Sequence, residues 1–281
     1  MTTECSARLP DGNYFPFWDD ETQYTNFLYV DCGSAAAFLH SVSPYLRSRG
    51  VNRLDGVLLS AGDARQIGGV LDLLKTLAPR EVIVSPLRDH SHFRNEAQRS
   101  LAQASAGKTI VWRGDALTLA PGITLHCLFP PAGFEARSAS DKTLIARLDV
   151  EVQTHDASRP SRPTRPPVRI LFLSNAGFIS EHWLLEHAPL EELRSDILIK
   201  GMHPGDLSGS PEFLDAVRPA LLVVAGGRFP DSPRVSEEWA AMVRARGIRL
   251  LRQEQTGAVH ITVERDGTWS AEPYLTGKAV P

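Results

Sequence analysis

"LLSAGDARQIGGV", residues 58–70, decides how the chain is read. The apolar run Val57-Leu58-Leu59 stops at Ser60, a polar loop follows, and Ile67-Gly68-Gly69-Val70 opens a new apolar period. That order is strand, loop, helix. A loop at a strand end is where closely spaced imidazoles and carboxylates can converge on Zn²⁺ at about 2 Å. This one carries Ala61, Asp63, Arg65 and Gln66, so a metal set is largely missing from a loop shaped to hold one.

Outward from this loop, apolar strand signals bounded by turns recur at residues 26–33, 54–60, 81–86, 108–113, 122–131 and 143–152. Helix-like stretches lie between them, among them 35–50, 67–79 and 93–108, the last with Gly107 as a C-cap. The second half repeats the alternation: strand "RILFLSN", helix "ISEHWLLEHAPL", strand "DILIKG", helix "SPEFLDAV", strand "ALLVVAGG", helix "SEEWAAMVRARG". "RLLRQ", "GAVHITVERDG" and "TWSAEPY" then read as a closing antiparallel meander, with Asp266-Gly267 as a turn. Two βα-rich halves with strand-rich edges predict an α/β fold, a four-layer αβ/βα sandwich formed by residues 1–281 as one domain. Residues 155–168 are a Pro/Arg-rich loop insertion. Four prolines crowd "HDASRPSRPTRPPVR", and proline cannot donate to a strand ladder, so this reads as a long hairpin connection.

Composition excludes several classes. Hydrophobic residues make up 42% and charged residues 22%, as in ordinary globular proteins. The longest apolar runs are strand-sized, far below the roughly 20 residues that cross a bilayer, so no transmembrane segment is expected in this chain. The start "MTTECSARLPDG" has neither a basic lead nor an apolar centre, so export would depend on something outside the chain. Cys5, Cys32 and Cys127 form no C-x-x-C pair and read as free thiols. A net charge of -3 gives no global attraction to a polyanion, and any such binding has to be local.

The order of segments resembles the metallo-β-lactamase fold, and in particular the C-terminal domain of the ComEC family of competence (DNA-uptake) proteins. "LYVDCG" is similar to that family's L-I-D-x-G, and "SAGDARQIGG" fits the frame of its S-H-x-D-x-D-H-I-G-G. "DILIKGMHPGDLSGSPEFL" resembles the segment carrying G-H-H-G-S and S-P-E-F-L. "RGIRLLRQEQTGAVHITVERDG" resembles the closing R-G-I-x-V and D-G-A-V hairpin. The resemblance implies a binuclear metal centre, and carrying its positions across one at a time removes most of it. Ala61 stands where the first histidine is expected and Arg65 at the second aspartate. Gln66 takes the second histidine, Phe129 the histidine of L-H-P, Asn175 the bridging aspartate of L-L-T-G-D, and Met202 the first histidine of G-H-H-G-S. Asp63 and His203 survive. Two metal ions bring about four positive charges that carboxylates must offset, whereas Arg65 is expected to place a permanent cation there. A hydrolytic zinc needs about three protein ligands and a water, so no catalytic residues, no metal ligands and no cofactor are assigned.

Other features carry blander readings. Asp63 is expected to cap the helix opening near Ile67, or to pair with Arg65. Asp89, His90, Ser91 and His92 read as an exposed N-cap rather than a metal pair, and His182 and His187 do not share a helix face. A serine nucleophile is set aside, because "LSGSPEF" has no G-x-S-x-G turn after a strand. Arg159, Arg162, Arg165 and Arg169 could engage phosphates, and the first three form the candidate binding set. The resulting expectation is a non-catalytic binding or scaffolding module linked to DNA uptake. DNA backbone phosphates and a membrane channel region are the partners the resemblance implies, on the extracytoplasmic side of a bacterial membrane; without the resemblance a cytoplasmic setting is expected. Two alternatives stay open. One is a metal-dependent hydrolase or nuclease with a rearranged mononuclear Zn or Mn site built on Asp63, His203 and His90 or His92. The other is a soluble interaction protein unrelated to DNA.

Overall fold

A computed structural model describes residues 3–9, 12–19, 24–87, 92–103, 106–135, 140–152, 166–201, 208–225, 235–264 and 266–275. The strands are β1 Thr3–Leu9, β2 Gly12–Asp19, β3 Tyr24–Val30, β4 Gly56–Leu59, β5 Glu81–Val84, β6 Gly107–Ile110, β7 Ala116–Ala120, β8 Ile123–Phe129, β9 Ile145–Val150, β10 Val168–Ser174, β11 Ile197–Lys200, β12 Leu221–Val224, β13 Arg249–Arg252, β14 Val259–Val263 and β15 Trp269–Pro273. Helices α1 Ala35–Ala37, α2 Ser43–Ser48, α3 Ala64–Ile67, α4 Val70–Leu77 and α5 His92–Gln103 belong to the first half. Helices α6 Phe178–His187, α7 Leu190–Leu193, α8 Pro211–Val217, α9 Glu237–Ala245 and α10 Gln253–Thr256 belong to the second.

Two sheets result, ordered β15-β14-β1-β2-β3-β4-β5-β6 and β13-β12-β11-β10-β9-β8-β7. Each has an antiparallel side and a parallel side, the parallel runs being β3 to β6 and β10 to β13. The inner parallel strands β4, β5, β11 and β12 are buried on both faces, which is why their sequences are almost continuously apolar, while the edge strand β6 is largely exposed. Leu58, Ile170, Phe172, Ile199 and Val223 point between the sheets, with Leu28, Ile123 and Leu148. Val57 and Leu59 face outward onto Phe38, Ile67 and Leu73. Leu171, Leu198 and Leu222 face the other way, onto Leu184, Phe213 and Val243. Three apolar cores therefore separate four layers: the αβ/βα sandwich that the alternation predicted.

Caps and glycines set the helix starts. Ser210 and Ser236 cap α8 and α9 by accepting from Phe213 N and Trp239 N. At Gly69 an added Cβ would lie 2.5 Å from Phe38 Cβ, so the glycine lets the first helical segment dock against α4.

Two expectations are corrected, and one stretch to which the sequence reading assigned no element is filled. Residues 3–9 and 12–19 form strands β1 and β2, which join β14 to β3. Gly107 opens β6 rather than capping a helix. The closing meander is split: β13 pairs parallel with β12 in one sheet, while β14 and β15 form the hairpin through Asp266-Gly267 in the other. Strands β9 and β10, flanking the Pro/Arg-rich insertion, are antiparallel partners. The insertion's own Arg159, Arg162 and Arg165 lie outside the described residues. Among the described residues no helix is long and apolar enough to cross a membrane.

Candidate functional site

The ends of the parallel strands of both sheets meet at one edge of the sandwich, and two polar clusters form there. The first is made from the positions where a metal centre was expected. Asp63 precedes α3 in an extended conformation and caps it, accepting from Arg65 N at 2.8 Å and Gln66 N at 3.3 Å through Oδ1. Its other oxygen accepts from Asn175 Nδ2 at 3.5 Å, across from the loop after β10. The Gln66 carboxamide lies between the two, and in the amide assignment that satisfies both neighbours its NH₂ faces the Asp63 carboxylate and its oxygen faces Asn175 Nδ2. Gly201, at the end of β11, makes room for this arrangement, because a Cβ there would fall inside the Asn175 side chain. The Gln66 carbonyl accepts from both Cys32 N and Gly33 N at 2.8 Å, fixing α3 to the turn after β3.

The second cluster lies deeper. Asp31, at the end of β3, is buried at 6% exposure and has a left-handed backbone, φ +59°. Its Oδ1 accepts from Ser60 N at 2.8 Å and its Oδ2 from Ser60 Oγ at 2.6 Å. Ser174, at the end of β10, is also left-handed at φ +49°; it donates to Asp31 Oδ2 at 3.1 Å and lies 2.5 Å from Ser60 Oγ. Such a backbone costs a non-glycine residue on the order of 1–3 kcal/mol, so both residues are held by their surroundings. The cluster straps one sheet to the other, and Leu144 N adds a bond to the Ser60 carbonyl at 2.6 Å. Burial pushes the Asp31 carboxyl up from 3.8 to about 6, against the lowering effect of the Ser60 and Ser174 hydrogen bonds and with a further push from the Asp63 charge.

The remaining expected residues divide. Ala61 is buried and offers no donor atom. Arg65 is exposed, so it does not place its cation in the site; the space is taken by the shorter Gln66 amide, and the Asp63–Arg65 contact runs through the Arg65 main chain. Phe129 is fully buried, edge-on to Phe134 at 4.8 Å and to Trp183 at 5.8 Å. Met202, His203, Asp89, His90 and Ser91 lie outside the described residues. His92 opens α5 and pairs with Glu96 at 3.5 Å. His182 and His187 each stack on an aromatic ring one turn back, Phe178 and Trp183. Arg169 is tied to the Glu191 carbonyl and, at 3.6 Å, to Asp149. Cys32 and Cys127 are buried and not joined in a disulfide, their thiols donating to the Gly33 and Phe129 carbonyls.

The described residues do not fit a metal. One carboxylate is committed to a helix cap and two amides, Gln66 and Asn175 supply no charge, and among the described residues no three His, Cys, Asp or Glu side chains group to hold an ion. What sequence reasoning missed is the strap. Asp31 was legible as part of "LYVDCG", but its partners Ser60 and Ser174 lie 29 and 143 residues away, beyond any local pattern.

No family model matches the chain. It is similar to ComE operon protein 3 of Bacillus subtilis (strain 168), 22% identical over 240 residues, which is 82% of this chain and 27% of that protein. It is also similar to the competence protein ComA of Neisseria gonorrhoeae, 36% identical over 75 residues, 27% of this chain and 11% of that protein. The chain thus spans well under half the length of either relative. Among solved structures it resembles the metallo-β-lactamase fold protein YhfI from Bacillus subtilis, with a TM-score of 0.49, 13% identity, and coverage of 89% of this chain and 95% of that one. Its curated relatives are competence proteins, and its structural neighbours are metallo-β-lactamase-fold proteins.

Proposed function

We propose that this chain is a metallo-β-lactamase-like domain that has lost metal-dependent catalysis and serves as a binding or scaffolding module in DNA uptake. The observation that carries the first half is the Asp63–Gln66–Asn175 cluster: residues from two sheets meet where a metal centre was expected, and they satisfy one another instead. The competence relatives support the second half. In this reading the partner is DNA held by backbone phosphates, with a membrane channel region of the same system as a second partner, and the setting is the extracytoplasmic side of a bacterial membrane.

A chain of net charge -3 needs a local cationic patch to hold DNA, and Arg159, Arg162 and Arg165 supply a run of three in the Pro-rich insertion. Contacts to phosphates alone are independent of base sequence and fall with salt. Replacing these three arginines with alanine should weaken binding to duplex DNA and flatten the slope of log K against log salt by about 2 to 3. Equal binding by parent and variant at every salt concentration contradicts the role of this loop. If neither binds DNA, the DNA-uptake role fails in favour of a protein partner.

A further inference from the structure

We propose that Ser174 is a metal-independent nucleophile for acyl transfer, with Asp31 as its proton acceptor through Ser60 and the first turn of α6 as the site for the developing oxyanion. The inference goes beyond the binding role and does not depend on it. It rests on where the protons must be. A serine hydroxyl has one proton and two lone pairs. Ser60 Oγ donates to Asp31 Oδ2 at 2.6 Å, and the short contact between the Ser60 and Ser174 oxygens, with Asp31 3.1 Å from Ser174 Oγ, commits the Ser174 proton inward. The Ser174 oxygen therefore keeps its lone pairs outside the relay, and the residue is half-buried rather than sealed.

The backbone around Ser174 has the form that presents a nucleophile. Strand β10 ends in Ser174 at φ +49°, a tight turn follows through Asn175, Ala176 and Gly177, and α6 begins at Phe178. A strained strand-to-helix turn is the backbone form that presents a serine hydroxyl at the end of a sheet. Gly177 provides no side-chain cap, and among the described residues the N–H groups of Phe178, Ile179 and Ser180 have no partner. Ser180, in that same turn, is fully buried with its hydroxyl also unpartnered among the described residues. A fully ionised carboxylate is a weak base, and burial has raised Asp31 toward the range where it can accept a proton and return it.

The step balances without a metal. The Ser174 Oγ attacks the carbonyl carbon of an activated ester, forming the C–O bond, while its proton passes to Ser60 Oγ and the Ser60 proton passes to Asp31. The carbonyl electron pair moves to oxygen beside the α6 amides. Its return breaks the bond to the leaving alkoxide, which takes a proton from Ser60 Oγ as Asp31 returns one to Ser60. Water then releases the acid from the acyl-serine and restores the hydroxyl.

Treating the full chain with a fluorophosphonate probe, and locating the adduct by fragmenting the peptide that carries both Ser174 and Ser180, tests this. We expect modification at Ser174, none in Ser174→Gly, whose backbone suits glycine, and at least about tenfold slower labelling in Asp31→Asn. Ser60→Ala, which interrupts the path while keeping the carboxylate, should slow labelling likewise and serves if Asp31→Asn does not fold. An unlabelled native chain, an adduct at another residue, or undiminished labelling in the folded relay variants overturns the proposal.

Discussion

The two polar clusters at this end of the sandwich have met opposite fates. In the deeper one a carboxylate, Asp31, is kept in a place that raises its pKa, because it fixes a strand end, a main-chain amide and two hydroxyls from both sheets. In the shallower one Asn175 and Gln66 stand where ligands were expected, and only Asp63 remains charged. The difference separates two uses of charge. Asp31 organises backbone, which the fold requires whether or not an ion is present. Among the described residues the shallower side chains meet one another and the start of α3, and amides satisfy them at no cost in buried charge.

The largest effect that could break this contrast is expected at Asp31. Asp31→Ala leaves the Ser60 amide, the buried Ser60 hydroxyl and the half-buried Ser174 hydroxyl without their acceptor, and should lower stability by about 2–4 kcal/mol, read as a lower urea midpoint with unchanged m-value. Asp31→Asn keeps an acceptor and should isolate the charge. The folded carboxyl holds its proton up to about 6, and the unfolded one loses it near 3.8. The stabilisation from proton binding is thus complete below 3.8 and is lost as pH rises through about 6, by roughly 3 kcal/mol in all. The wild-type chain should show this decline and Asp31→Asn should not; parallel curves would mean that Asp31 does not carry it. Gly201→Ala tests whether the clusters share a wall. Its Cβ would overlap Asn175 and lie 2.7 Å from the Ser174 carbonyl, for a loss of about 1–3 kcal/mol. Smallest is Asp63→Ala, which removes a helix cap worth about 1 kcal/mol and should leave phosphodiester hydrolysis at background. Metal-dependent turnover abolished by that change would revive the hydrolase.

Much of this end of the molecule is legible in the sequence. Val57-Leu58-Leu59 reads as a strand, and Asp63 as the cap of the helix that follows the loop, which the structure places at α3. What stayed hidden depended on long-range choice. Strand β2 contains Pro16, which argues against a strand, yet pairs along its length with β3. The partner of β13 is β12 in one sheet rather than the nearby β14, because a parallel connection through α9 places it there. Arg65 and Gln66 are neighbours, and a helical backbone sends one outward and the other between Asp63 and Asn175; composition could not say which. The Asp31–Ser60–Ser174 strap exists only once the two sheets face each other.

Metal content tests the central claim most directly. Protein purified without chelator should contain, by elemental analysis, well under about 0.1 equivalents of Zn, Mn or Fe per chain, and EDTA should leave its Tm unchanged. About one or more equivalents, lost to EDTA together with a large fall in Tm, would contradict a site closed by its own amides.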